Sequence, residues 1–273
     1  MKFLISIILL FVLLSHKIIA ETSRQPEGVF IEQKLGHFAL LDLIFLDEDG
    51  NRVTMKQFFQ DKPIIIAPSY YECPRLCTLV YNGLRKVIED TEGLVPGRDY
   101  KIISISFNPD DDYKKASQKG EAYRNSFKSF KLKKSDWIFL VIENTEANAN
   151  NAKFFLESLG YYYKKDKNEY SHPAAIIFLT KEGKISKYLY GIQFLARDFR
   201  FAIIEASEGK IGTPVDTLLM SCFRYDSIQG RYAPYAWGFI RIGGIFILIF
   251  VLGIIGILFF LERRKKAVKF DLK

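Results

Sequence analysis

Residues 242–261 (IGGIFILIFVLGIIGILFFL) carry no charge over 20 positions. At 1.5 Å of rise per residue a helix of this length spans about 30 Å, the thickness of a bilayer's hydrocarbon core, so the run reads as a transmembrane helix. Arg263 to Lys266 follow it as an unbroken basic flank, whereas Arg231 and Arg241 stand thinly spread before it, beside Tyr232, Tyr235 and Trp237. That asymmetry puts the tail in the cytoplasm and residues 21 to about 238 outside. The other end agrees: residues 3–14 (FLISIILLFVLL) form a 12-residue apolar run behind Lys2, the length of a signal-peptide core, with Ala20 as a cleavage point. An uncleaved anchor extended through Ile18 and Ile19 is the alternative. The expected organisation is a signal peptide over 1–20, an exported domain over 21–215, a juxtamembrane segment over 216–238, a transmembrane helix over 239–262 and a cytoplasmic tail over 263–273. The location this implies is the cytoplasmic (inner) membrane, single-pass, with the main domain facing the periplasm or exterior.

The same split disposes of a nucleic-acid reading. Of the net charge of +8, the two ends carry +6 and residues 21–241 only +2. The basic balance therefore belongs to the membrane-targeting ends and not to a basic binding face.

Within the exported region, short apolar runs alternate with helical spacing. Residues 41–46 and 52–54 flank the turn-rich 47–51 and read as a hairpin; 64–67 and 102–107 read as strands buried on both faces. Val80, Leu84, Val87 and Ile88 fall on one helical face, stopped at Gly93. Asp110 to Asp112 can start a helix running to about Phe127, Trp137 to Ile142 returns as a strand, and Thr145 is a candidate cap for a helix ending at Gly160. Residues 175–179 and 186–190 form a last hairpin around 180–184, followed by a helix from about 197 to 206. This pattern predicts an α/β mixed sheet with helices on both faces.

Export also gives the cysteines meaning, since disulfides form outside the cytosol and a cysteine pair there is a metal site, a redox couple or a staple. Cys73 and Cys77 lie where strand 64–67 gives way to a helix. A helix start stabilises thiolates, and residues four apart face the same side, so both sulfurs can converge. Pro74 suits a first helical turn. Thiolates select soft ions such as Cu(I) and also bind Zn, and imidazole is the natural third ligand. His16 leaves with the signal and His37 only precedes the first hairpin. His172 opens strand 175–179 at the end of the sheet where strand 64–67 delivers Cys73. A structural disulfide between Cys73 and Cys77, and a merely structural His172, are the alternatives.

Residues 63–84 (PIIIAPSYYECPRLCTLVYNGL), with 95–110, 170–191 and 209–230, resemble the Sco (SenC) family of copper-binding, thioredoxin-like proteins that serve cytochrome oxidase assembly, most of all the bacterial branch tethered by a C-terminal helix. The likeness covers about residues 35–262. It implies a thioredoxin-like fold, copper, as Cu(I) or Cu(II), held by Cys73, Cys77 and His172, and a redox disulfide between Cys73 and Cys77. It further implies a metallochaperone or thiol reductase of the acceptor site, acting on a membrane-bound copper oxidase subunit and itself served by a thioredoxin-like reductant. Members nearer the mitochondrial type often have Asp where this chain has Arg75 and Tyr170. Pro173 lies near the position at which thioredoxins keep a cis-proline.

The rival reading is a membrane-anchored thiol-disulfide oxidoreductase that uses Cys73 and Cys77 without a metal. Against it, redox members of the wider fold typically separate their cysteines by two residues, and His172 has no required part in disulfide exchange. A peroxidase expects Thr where Tyr70 stands. A protein whose cysteines form a staple is the third class. Tyr161-Tyr162-Tyr163 reads as a helix exit packing on the sheet, Cys222 as a lone thiol before the membrane, and 110–112 as a helix start rather than a metal site.

Overall fold

An apolar run without polar alternation has to be covered on both sides. The run at Ile64–Ser69 is of that kind, with all six residues buried. In the computed structural model, which describes residues 28–258 apart from 74–75, 168, 209–222, 227–228, 230, 235–239, 241–242 and 246, this run is the centre of the fold. The elements in chain order are β1 (Phe30–Ile31), β2 (Ile44–Leu46), β3 (Arg52–Thr54), β4 (Ile64–Ser69), α1 (Leu76–Asp90), β5 (Lys101–Ser106), α2 (Tyr113–Asn125), β6 (Trp137–Leu140) and α3 (Asn151–Ser158). They continue with β7 (Tyr161–Tyr162), β8 (Lys164–Asp166), β9 (Glu169–Ser171), β10 (Ala175–Leu179), β11 (Ile185–Tyr190), α4 (Ala196–Ala206), β12 (Phe223–Asp226) and β13 (Arg231–Pro234).

Five strands form the main sheet in the order β11-β10-β4-β5-β6. β4, β5 and β6 run parallel, with Ile65 beside Ile102 and Ile103 beside Ile138. β10 runs antiparallel to β4 and to β11. Alternation along β4 sorts the core into two layers, as the two-residue period of a strand requires. Ile65 and Ala67 pack with Val80, Leu84, Phe199 and Ile203 from α1 and α4. Ile64 and Ile66 pack with Phe155 and Leu156 from α3 and with Phe45 and Met55. Each such aliphatic side chain contributes about 1.5–3 kcal/mol by leaving water. The two-sided mixed sheet expected from the sequence is thus present, with α1 and α4 on one face and α3 on the other.

α1 buries Val80, Leu84, Val87 and Ile88, the positions that helical spacing marks out, and is followed by Gly93 at φ +78°. At Gly83 the backbone of the β11–α4 connection comes so close that a Cβ would lie 2.0 Å from the Ile192 carbonyl oxygen. Only glycine fits that crossing. Asp112 caps α2, its side chain accepting from the Lys115 amide, as the acidic run suggests. The hairpins around 47–51 and 180–184 are both present.

Two expectations need correction. Thr145 does not cap a helix: the chain turns at 145–150 and α3 starts after Asn150, whose side chain makes no capping bond either. Tyr161 and Tyr162 are not a plain helix exit but strand β7, paired with β1, while the next residues form the β8–β9 hairpin.

Residues 1–27, which include the expected signal peptide, lie outside the described residues, as do Cys222 and Arg75. The same holds for 242, 246 and 259–261 of the expected membrane span. Within that span, 247–258 is helical, with Ile247, Phe250, Ile255 and Leu258 exposed. Among the described residues no helix is long and apolar enough to cross a membrane.

Candidate metal centre

β4 carries the chain to the end of the sheet and releases it into a loop that is pinned on several sides. The Tyr71 amide donates to Asp111 Oδ2 at 2.6 Å and its hydroxyl to the Leu140 carbonyl at 2.7 Å. Ser69 and Tyr81 share a hydroxyl–hydroxyl hydrogen bond beneath the loop. The Cys73 amide then turns back to the Tyr70 carbonyl at 3.3 Å, and Thr78 Oγ1 donates to the Cys73 carbonyl at 3.1 Å. Lys115 pairs with Glu72 at 2.8 Å, next to Cys73. The chain leaves this loop into α1, whose second residue is Cys77, and the Cys77 amide donates to Cys73 Sγ at 3.3 Å.

Because β10 runs against β4, the residues just before β10 arrive where β4 ends. His172 occupies that place. Its Nε2 lies 3.0 Å from Cys77 Sγ, and its Nδ1 lies 2.9 Å from both the Tyr161 hydroxyl oxygen and the Pro173 carbonyl oxygen. One ligand atom from each of Cys73, Cys77 and His172 lies within 4.8 Å of the other two, and all three residues are buried. His37 is exposed between β1 and β2 and takes no part. No disulfide joins Cys73 to Cys77.

Electrostatics add a point that the sequence reading has the other way round. A helix start favours a thiolate, but burial pushes the Cys77 thiol well above its ordinary range, and the hydrogen bond with Cys73 pushes it further. The amide that a helix start offers is spent on Cys73 Sγ. Burial thus favours the protonated form of Cys77, 3.0 Å from His172 Nε2, and a metal that binds there has to displace that proton.

Rings wall the group. Phe107 lies 5.5 Å and Tyr70 6.2 Å from the His172 ring, centroid to centroid, and Tyr170 packs on both. Access is through a cleft of about 400 Å³ lined by Tyr70, Cys73, Leu76, Tyr170, His172 and Pro173. A larger cavity of about 870 Å³ lies among α1, β11 and α4. None of its lining residues is a cysteine or histidine, so size does not mark the site. Two sulfurs and one imidazole nitrogen form a soft donor set that fits copper, Cu(I) above all, and also zinc. Among the described residues no peptide bond is cis, and Pro173 is accordingly trans.

The residue missed by sequence reasoning is Tyr161. Its hydroxyl donates to the Pro173 carbonyl at 2.7 Å while touching His172. The only signal was the density of tyrosines at 161–163 and 170, which says nothing of which one points inward.

No family model and no curated protein sequence matches the chain. Solved structures do. A protein of Aquifex aeolicus VF5 described as an electron transfer protein is 24% identical, with a TM-score of 0.56, over 64% of this chain and 96% of its own. A second structure from that organism, described as an electron transport protein, is 24% identical with a TM-score of 0.52, over 64% and 99%. A SCO1/SenC family lipoprotein from Bacillus anthracis str. Ames is 18% identical with a TM-score of 0.50, over 64% and 96%. The chain therefore has the α/β thioredoxin-like fold expected from its sequence, and one of the structures that share this fold comes from the family that the Cys73–Cys77 motif resembles.

Proposed function

We propose that this chain is a Sco (SenC) family protein that carries copper on Cys73, Cys77 and His172 for the copper centre of a cytochrome c oxidase. The observation that carries the reading is the convergence of two buried sulfurs and an imidazole nitrogen within 4.8 Å. The SCO1/SenC family fold and the Cys73–Cys77 motif support it. On this reading the two sulfurs hold Cu(I) as thiolates and His172 completes the set that accepts Cu(II). The ring wall of Tyr70, Phe107 and Tyr170 limits water at the bound ion. Without copper the same sulfurs can close as a disulfide by exchange with a disulfide of the acceptor site, which takes up the two electrons and two protons and becomes a dithiol; a thioredoxin-like reductant then returns the pair to thiols. Residues 242–261 anchor the domain at the cytoplasmic membrane with its cleft on the periplasmic or outer side, beside a membrane-bound oxidase subunit. That confinement raises the effective concentration for the acceptor without any new contact.

The full chain, purified in detergent and mildly reduced, should take up one copper. Its Cu(II) form should show a sulfur-to-copper charge-transfer band that is lost in His172→Ala, which keeps a weaker Cu(I) site. After oxidation of the cysteine pair, binding should disappear. Absence of copper uptake together with reduction of insulin disulfides would establish the oxidoreductase reading instead. In a strain lacking the protein, oxidase activity at limiting copper should fall and return with the intact chain but not with Cys73→Ser.

A further inference from the structure

Three polar atoms meet behind His172, away from the cysteines, and for a neutral imidazole one arrangement of hydrogens leaves every acceptor matched. The Pro173 carbonyl oxygen only accepts. It lies 2.7 Å from the Tyr161 hydroxyl and 2.9 Å from His172 Nδ1. The Tyr161 hydroxyl has one proton, which it donates to that carbonyl, so toward His172 Nδ1, at 2.9 Å, it can only accept. Both neighbours of Nδ1 thus face it as acceptors. A neutral imidazole has a single N–H, and placing it on Nδ1 leaves Nε2 with a bare lone pair, 3.0 Å from Cys77 Sγ. Heavy-atom partners decide the tautomer here, as they do wherever hydrogens are assigned.

We propose that Tyr161 is a positioning residue that, with the Pro173 carbonyl, locks His172 in the Nδ1–H tautomer and so makes Nε2 the nitrogen offered to the metal. The inference rests on the copper reading for its consequence but not for its geometry. Tyr161 is fully buried on β7, and β7 is fixed by pairing with β1, where Tyr161 stands opposite Ile31. The hydroxyl therefore cannot swing away. Pro173 lies two residues before β10, and the Ala174 carbonyl between them accepts from the Gly191 amide at 2.9 Å, which holds the segment to the edge of the sheet. A ring held at one nitrogen by two acceptors can neither flip nor change tautomer without leaving a buried acceptor unmatched. Such outer partners of a metal-binding histidine orient the ring and raise its basicity. The effect should be selective: Cu(II) depends on the imidazole, whereas Cu(I) is held chiefly by the two sulfurs.

The first test needs no metal. Nitrogen-15 NMR of the His172 ring in the reduced, metal-free chain should show a protonated Nδ1 and a bare Nε2; a protonated Nε2 overturns the proposal. The second test uses Tyr161→Phe, which keeps the ring in the core, with a thermal melt to verify folding. In this variant both tautomers should appear. Cu(II) affinity should fall by about 10–100-fold, the range typical for losing such an outer partner, and Cu(I) affinity should change far less. The nitrogen hyperfine pattern in the Cu(II) electron paramagnetic resonance spectrum should change as well. A variant that keeps a single tautomer and a wild-type Cu(II) spectrum overturns the role of Tyr161. A wild type that binds no copper yet shows a protonated Nδ1, lost in Tyr161→Phe, refutes the copper reading alone and upholds the positioning role.

Discussion

Glu48 with Arg124, and Cys73 with Cys77 and His172, are two polar groups buried against one sheet, and they close in different ways. Arg124 Nη1 donates to Glu48 Oε1 at 2.8 Å and to the Trp137 carbonyl at 2.9 Å, while Nη2 donates to Glu48 Oε2 at 2.6 Å. Glu48 Oε1 also takes the Phe139 amide at 3.2 Å. Opposite charges meet in a two-pronged match, and the pair pins the turn at 47–51 to α2 and β6. At the other group, two sulfurs and an imidazole nitrogen face one another with no carboxylate among them. Cys77 Sγ, its proton held on by burial, lies 3.0 Å from His172 Nε2. The ion pair satisfies itself, whereas the sulfur–imidazole group gains most when a cation takes the place of a proton. Burial alone marks neither as functional; the balance of donors, acceptors and charge separates them.

The sharpest way to break this contrast is to cut each group once. Cys77→Ser should abolish tight copper binding, since the ligand has to be a thiolate, yet alter stability by only about 1 kcal/mol, as exchanging one small hydrogen-bonded group for another usually does. Equilibrium copper competition and chemical denaturation of the reduced chain read the two effects. Glu48→Ala should do the reverse. Leaving Arg124 buried without its carboxylate costs about 3–5 kcal/mol, and copper stoichiometry of the folded fraction should stay at one. Loss of copper binding in folded Glu48→Ala would show that the two groups are not independent.

A subtler cut fills space beside the ion pair without touching either partner. At Gly120 a Cβ would lie 2.6 Å from Arg124 Nη1, 2.8 Å from Glu48 Oε2 and 2.9 Å from Phe139 Cδ2. Gly120→Ala would ordinarily favour a helix, because alanine has the highest propensity. Here it should destabilise by about 1–3 kcal/mol, the usual range for overpacking. A stabilised variant would mean that the ion pair can shift at no cost and is no pin.

What could be read in advance followed from how local the cause was. β4 and α1 were legible because an unbroken apolar run and a helical spacing each declare themselves within a few residues. The meeting of Cys73, Cys77 and His172 was legible because an antiparallel β10 necessarily starts where β4 ends. β1 and β7 were not, since each is two residues long and their pairing of Phe30 with Tyr162 joins distant parts of the chain. The role of Tyr161 depends on that pairing, so it was hidden with it. The start of α3 is not legible, since Thr145 and Asn150 are both of the types that cap helices, and Asn150, the observed N-cap, makes no side-chain capping bond.

Asp111 offers the mildest test, because it is a buried carboxylate that belongs to neither group yet holds the loop before Cys73. Its Oδ2 accepts from the Tyr71 amide and the Ser106 hydroxyl, at 2.6 and 2.5 Å. Its Oδ1 has no hydrogen-bond partner, and Lys115 Nζ, itself paired with Glu72, stays 3.9 Å away. Burial pushes the Asp111 carboxyl above its ordinary value of 3.8, against the pull of Ser106, Tyr71 and Lys115. The folded chain therefore keeps this proton over a pH range in which the unfolded chain has released it, so the contribution of Asp111 to stability declines as pH rises from 3.8 through the raised value. Asp111→Asn retains an acceptor for Tyr71 and Ser106 but cannot ionise. Its stability relative to the wild type should be lowest in acid, rise across that window and level off above it. Urea denaturation of both proteins over a pH series measures the difference. A difference that is flat with pH would mean that Lys115 and burial cancel, and one that rises toward acid would mean that the charged carboxylate is stabilised by Lys115 more than it is penalised by burial.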